Sequence, residues 1–524
     1  MLDSFPFYLS LIAVILGVIM LANKIKVAYP VLLVLAGLGI SLIPGMPTVH
    51  IEADLIFVIF LPPLLYEAAW SISWKELWKW RRIITSFAFI VVFFTAFTIA
   101  LVANHFIPGF TLALGFLLGG IVSPPDAVSA GAILKFVKVP RRFSSILEGE
   151  SLLNDASSLI IFRFALIAVA TGQFVWQEAA LNFSWMVFGG VGIGLVTSYI
   201  IMKCHKHLPT DANIDIALTL ITPYIIYVAA EEVHSSGVLA VVSGGLYLST
   251  HRMIFLNSTS RLRTVNVWES LCFVLNGLVF MLIGLDLPEI IEGLDGTGIG
   301  TAIGYGLLIT LALVVSRIIS VYAAVFTTLI ARNFITVADA GHPGFRGPLV
   351  LGWAGMRGVV SLAAALSIPV TLDDGSAFPQ RNLILFITFV VILSTLLLQG
   401  LTLPWLIKKI NMPDPDSIMP EDQMYNKIRR LMAQEALDHL KTNYSTQLQN
   451  RQVLQFFASK WENSGAESDD NSLMDEETKT IYLDLLNVQR DLLLKKNKSL
   501  VVDEEIVRRH LLYLDLEEEK LGLL

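Results

Sequence analysis

The run Glu148 to Asp155, EGESLLND, carries two glutamates, a serine, an asparagine and an aspartate within two helical turns. On a helix that spacing stacks Ser151 on Asp155 and Glu150 on Asn154, so two polar stripes lie side by side. Upstream, Ser123-Pro124-Pro125-Asp126 sets another aspartate directly behind two prolines. Carboxylates, a hydroxyl and an amide are the hard oxygen donors a small cation prefers, and a carboxylate takes up a proton at the same place. Both runs sit inside long apolar stretches, where an ionised carboxylate costs about 2.5–3.5 kcal/mol on insertion scales and is a functional candidate by default. A lone Asp155 would as readily do no more than bond a neighbouring helix. With Asp126, Ser151 and Asn154 beside it, a binding site is the better reading.

Such side chains need a membrane-embedded frame, and the composition supplies one. Of 524 residues, 55% are hydrophobic and only 15% charged, against roughly 25% charged in soluble domains. Apolar runs of about 20 residues, enough to cross about 30 Å of hydrocarbon, recur from Phe7 to Ile410. They divide into about thirteen spans, near 7–23, 28–44, 53–71, 83–104, 109–137, 148–171, 183–203, 213–231, 236–250, 265–286, 300–331, 347–370 and 382–408. The first lacks a basic leader and a small-residue cleavage pattern, and is expected to remain a span. Basic residues crowd alternate loops: Lys24 and Lys26; Lys75, Lys79, Arg81 and Arg82; Lys135, Lys138, Arg141 and Arg142; and so on to Lys408 and Lys409. The opposite loops hold only Arg381. The positive-inside rule therefore puts the N-terminus outside the cell membrane and the C-terminal region in the cytoplasm, which requires an odd number of spans. Trp70, Trp74, Trp78 and Trp80, among the basic residues after span three, read as interface anchors.

Spans five and twelve are interrupted at their middles, by Ser123 to Asp126 and by Gly352 to Gly358, GWAGMRG. Proline removes a backbone donor and glycine loosens the helix. Broken backbone survives at membrane depth only inside protein or beside water, so these two spans should face inward. If spans one to six and eight to thirteen form two inverted six-helix repeats, five and twelve occupy equivalent places, the arrangement that holds ions near the midplane of secondary transporters.

Residues 411–524 differ from the membrane part, residues 1–410, in kind. They carry 22 acidic and 14 basic residues, a balance that argues against nucleic acid as a partner. Apolar residues at helical spacing near Ile428 to Leu440, Ile481 to Leu494 and Ile506 to Leu521 predict a small helical cytoplasmic domain. The polar stretch Asn463 to Ser472 reads as a link within it. Cys204 and Cys272 have no metal-ligand spacing and imply neither a zinc site nor a disulfide framework, and no cofactor is expected.

The runs IVSPPDAV (Ile121 to Val128) and EGESLLND, with FLPPLLYE (Phe60 to Glu67) and GWAGMRG in this order, resemble the NhaP-type cation/proton antiporters, relatives of the animal Na⁺/H⁺ exchangers. The resemblance covers all the spans and nothing in the tail. It implies exchange of a monovalent cation, Na⁺ or else K⁺ or Li⁺, for H⁺, one for one and electroneutral, by a homodimer. It also implies Asp155 as main proton and cation carrier, with Asp126 and Ser151 as ligands and Asn154 orienting the site. Asp126 is alternatively a ligand that never titrates. Glu67 is a gate or ligand contact, or part of a polar network. The family pattern pairs Glu150 with Arg357, which would hold span six against span twelve. Where the family commonly reads Thr-Asp-Pro, this chain has Pro125-Asp126-Ala127, which keeps the carboxylate and drops a hydroxyl.

Arg163 and Arg317, also inside spans, are expected to meet an acid or snorkel, and His234 to be an ordinary interfacial side chain. A cation channel is the nearest rival, since carboxylates and broken helices also line pores. An intramembrane aspartyl protease using Asp126 and Asp155 is a distant one, so the chain is not expected to be an enzyme.

Overall fold

A helix satisfies its own backbone groups, which is why long apolar runs in lipid adopt it. The computed structural model describes residues 5–43, 56–134, 137, 139–172, 176–294, 298–331, 345–372, 375–410, 421–466, 476–497 and 504–522. Every regular element among them is a helix. The chain divides into two units, Met1–Asp414 and Pro415–Leu524.

In the first unit the elements are α1 (Phe5–Ile25), α2 (Tyr29–Ser41), α3 (Leu61–Ser71), α4 (Trp74–Thr85), α5 (Val92–Phe106), α6 (Leu112–Val122), α7 (Ala127–Leu134) and α8 (Arg141–Thr171). Next come α9 (Trp176–His207), α10 (Ala212–Glu231), α11 (Gly237–Phe255), α12 (Ser258–Leu285), α13 (Leu287–Glu292), α14 (Ile299–Ala331), α15 (Arg346–Trp353), α16 (Val359–Leu366) and α17 (Arg381–Ile410). Nine helices among the described residues are long and apolar enough to cross a membrane, and three shorter apolar ones, Leu9–Ile25, Tyr29–Ser41 and Val58–Ser71, accompany them. The protein is thus a multi-pass membrane protein.

The fourth span is longer than expected. It begins at Trp74, in what reads as a loop, and continues through a π-helical stretch, Ser86–Val91, into α5. Leu77, Trp80 and Ile84 make one buried face of α4, and Ser73 caps it by accepting from the Glu76 N–H. This amphipathic start outweighs the basic residues around it. Small residues then bring the site-bearing helices together. A Cβ on Gly115 or Gly119 of α6 would come within 2.7 or 2.5 Å of a backbone carbonyl of α5, the close approach by which membrane helices gain contact without a hydrophobic driving force.

The second unit contains α18 (Glu421–Asn443), α19 (Ser445–Asn450), α20 (Gln452–Ala466), α21 (Glu476–Asn497) and α22 (Glu504–Gly522). Helix α20 was not anticipated and takes in Asn463 to Ala466 of the expected link; 467–472 lie outside the described residues.

Candidate functional site

Both interruptions are present. Helix α6 ends at Val122 and α7 begins at Ala127; α15 ends at Trp353 and α16 begins at Val359. The non-helical segments touch, because the Asp126 N–H donates to the Met356 carbonyl at 2.7 Å. Gly358 lies so close to Asp126 that a Cβ there would overlap its carboxylate.

Asp126 caps α7. Its carboxylate accepts from the Val128 N–H at 3.0 Å, the Ser129 N–H at 3.3 Å and the Ser129 hydroxyl at 2.5 Å. It therefore places negative charge between the N-termini of α7 and α16, where helix dipoles favour it. Arg357 is the complement. Its guanidinium donates to the Val122 carbonyl at 2.8 Å, the Ser123 carbonyl at 3.0 Å and the Gly355 carbonyl, while its backbone N–H donates to the Thr395 hydroxyl at 3.2 Å. A cation thus sits on the carbonyl end of α6, supplying donors that the broken helix no longer provides.

Span six, α8, presents its polar stripes to this crossing. The Ser151 hydroxyl accepts from the Ala127 N–H at 3.2 Å, and the Asn154 amide donates to the Pro125 carbonyl at 3.2 Å. Asn154 is fully buried, and its amide oxygen has no partner among the described residues. Asp155 is buried too, and no hydrogen bond or ion pair engages its carboxylate among the described residues. The charge it feels is that of Asp126. Glu67, half-buried on α3, lies with Asp126 within electrostatic reach of Tyr29, and it also reaches Cys272.

The expected Glu150–Arg357 bridge is not what forms. Glu150 pairs with Arg317 of α14 through two parallel bonds of 2.7 and 3.0 Å, all of it buried. The reason is geometric: the Arg357 donors are taken up by carbonyls of the broken helices, whereas Arg317 meets the glutamate end-on, through Nη1 and Nη2 of its planar fork. Span six is held to α14 through this pair. Arg163 meets an acid as well, Glu231 at 2.8 Å.

Arg317 meets an acid, as its place inside a span suggests, although the sequence does not say which; Ser129, Thr395 and the closeness of Gly358 to Asp126 are missing from the sequence reading. A signal existed for Ser129, since an aspartate just ahead of a short apolar run, with a serine three residues on, is a helix-start pattern. None existed for Thr395, whose value comes from where α17 passes the second break.

A family profile, described as "Sodium/hydrogen exchanger, transmembrane", matches residues 10–409. The chain belongs to the sodium/hydrogen exchanger family. It is 34% identical over 82% of its length to a "Sodium, potassium, lithium and rubidium/H(+) antiporter" of Bacillus pumilus, and 35% identical over 77% to the Bacillus subtilis protein of that name. The chain spans 65% and 61% of those two proteins. It is also 34% identical to the "Na(+)/H(+) antiporter ApNhaP" of Aphanothece halophytica, over 77% of this chain and 74% of that one. Among solved structures it resembles the sodium proton antiporter MjNhaP1 of Methanocaldococcus jannaschii, with a TM-score of 0.62 at 18% identity over 78% of this chain and 99% of that one. This exchanger-family member therefore shares an NhaP-type fold.

Proposed function

We propose that the protein exchanges a monovalent cation, Na⁺ first and K⁺ or Li⁺ beside it, for H⁺ by competition at Asp155. The observation that carries this reading is the contrast between the two aspartates. Asp126 has three donors on its carboxylate, while the buried Asp155, eased by none among the described residues, has to be neutralised by something that comes and goes. A proton does this, and so does a cation held with help from Ser151 and the free oxygen of Asn154. One site cannot hold both. If the empty, charged site crosses between the membrane faces far more slowly than either neutral form, exchange follows.

In this reading the carrier is an electroneutral homodimer of thirteen-span subunits, each with an outside N-terminus and a cytoplasmic second unit. Spans one to six and eight to thirteen are inverted repeats, a view favoured by the contact between the two interrupted segments. The breadth of cations rests on the names of the Bacillus relatives. The deciding experiment uses purified protein in pH-loaded vesicles, scanned across Na⁺, K⁺ and Li⁺ with the membrane potential clamped. Wild type should move protons against an imposed cation gradient and Asp155→Asn should not. Undiminished exchange in Asp155→Asn, or current without obligatory proton movement, would sink the proposal.

A further inference from the structure

Ion exchange does not explain the outer face of α4. Opposite the buried Leu77, Trp80 and Ile84, this helix exposes Trp74 and Trp78, stacked with ring centres 5.7 Å apart. Around them stand four exposed cations, Lys75, Lys79, Arg81 and Arg82. The Arg81 guanidinium lies 4.5 Å over the Trp78 ring and donates to the Trp78 carbonyl at 2.6 Å. The helix has one acid, Glu76, and its carboxylate accepts from the Trp80 indole at 3.1 Å. Indoles favour the headgroup level of a bilayer, and clustered Lys and Arg beside a span favour anionic lipid there.

The inner face of α4 leads to the site. A Cβ on Gly149, in the run EGESLLND, would come within 2.6 Å of Ile84 and 3.1 Å of Leu77. The Ser157 hydroxyl donates to the Ala88 carbonyl in the π-helical stretch that continues α4. The π-helix misaligns the ordinary ladder and leaves such carbonyls open to outside donors. These two contacts fall on either side of Ser151 and Asp155. A shift of α4 in the interface is therefore passed to the helix that bears the carrier acid.

We propose that the exposed face of α4 is a docking surface for anionic phospholipid headgroups, and that its occupancy sets the rate of the transport cycle through the contacts of Gly149 and Ser157. Charge complementarity selects the occupant: a zwitterionic headgroup offers the cations no net charge, whereas an anionic one gains about 5-fold in affinity for each cation it meets. The docking half stands by itself, and the coupling half rests on the exchange reading.

The test uses the full chain in vesicles of phosphatidylcholine alone or mixed with phosphatidylglycerol. Brominated phosphatidylglycerol should quench tryptophan fluorescence more than brominated phosphatidylcholine at equal bromine content, and the excess should vanish in Trp74→Phe/Trp78→Phe. Lys75→Gln/Arg81→Gln should weaken that excess and make the exchange rate indifferent to phosphatidylglycerol, with its rate in phosphatidylcholine equal to wild type. Quenching that ignores headgroup charge, or an unaltered lipid response in the Lys75/Arg81 variant, overturns the docking. Selective quenching with an exchange rate that ignores lipid overturns the coupling alone. Selective quenching with no exchange in any lipid refutes the exchange reading and the coupling with it, while the docking stands.

Discussion

Asp126 and Asp155 carry the same functional group in different surroundings, so the same substitution should do different things to them. Asp155→Asn removes a charge that nothing among the described residues stabilises, and the folded protein should keep or gain thermal stability while exchange falls to background. Asp126→Asn takes charge from between two helix N-termini and weakens three hydrogen bonds, at an expected cost of about 1–3 kcal/mol. Melting curves of both variants in one detergent check the contrast, and a lower melting temperature for Asp155→Asn would mean that its carboxylate is structural. Competition at a single acid has a further signature. As pH falls, protons occupy more of the sites, so the apparent KM for Na⁺ should rise, approaching about tenfold per pH unit at the acid end. Initial rates across a pH series measure it, and a pH-independent KM would contradict competition. The four polar residues at the crossing could be read from sequence because membrane-embedded oxygen donors are costly and stand out against Leu and Val. The difference in surroundings between Asp126 and Asp155 could not, because it depends on Ser129 and on backbone N–H groups that only the broken helix places.

At the level of elements, the pairing of Glu150 with Arg317 illustrates the limit of a linear reading. Arg317 and Arg357 both lie within apolar spans on helices other than that of Glu150, as Arg163 does on the glutamate's own helix, and nothing in spacing along the chain says which one the glutamate will meet. The arginine whose donors are consumed by backbone carbonyls, Arg357, is unavailable. Both interruptions, by contrast, were visible, since Pro-Pro and clustered glycines each have a local effect on the helix. The start of span four is hidden in the sequence, because four cations in nine residues look like a loop until the Leu77, Trp80 and Ile84 stripe is weighed against them. The buried pair makes a testable prediction. Glu150→Gln strands the Arg317 guanidinium and should cost about 3–5 kcal/mol, seen as poor yield and early melting. Glu150→Leu with Arg317→Leu removes both charges and should recover most of the loss. Exchange restored in that double variant would show that the pair only fastens α8 to α14, whereas a well-folded but inactive one would give the pair a part in transport.

For the whole molecule, the question is how much charge a turnover carries across the membrane. Among the described residues at the crossing, Asp155 is the acid that the proposed exchange neutralises, with an amide, Asn154, next to it and a second acid, Asp126, engaged as a cap. Each buried cation at the crossing also has its counterpart: Arg317 has Glu150, and Arg357 has the carbonyl end of α6. On the exchange reading proposed above, one proton or one monovalent cation balances the same single charge, and the two half-cycles cancel. A transmembrane potential acts on net charge with about 2.3 kcal/mol per elementary charge per 100 mV, equivalent to about 50-fold in a concentration ratio. If exchange is one for one, the Na⁺ gradient reached at equilibrium under a fixed pH gradient should be the same with and without an imposed potential of about 100 mV. If one extra charge moves per cycle, that gradient should shift by about 50-fold. Measuring the reversal point in vesicles whose potential is set by K⁺ and valinomycin separates the two, under conditions where K⁺ is first shown not to be carried by the protein itself. A shift of that size would require a second acid to titrate as well, either Asp126, despite its three donors, or Glu67.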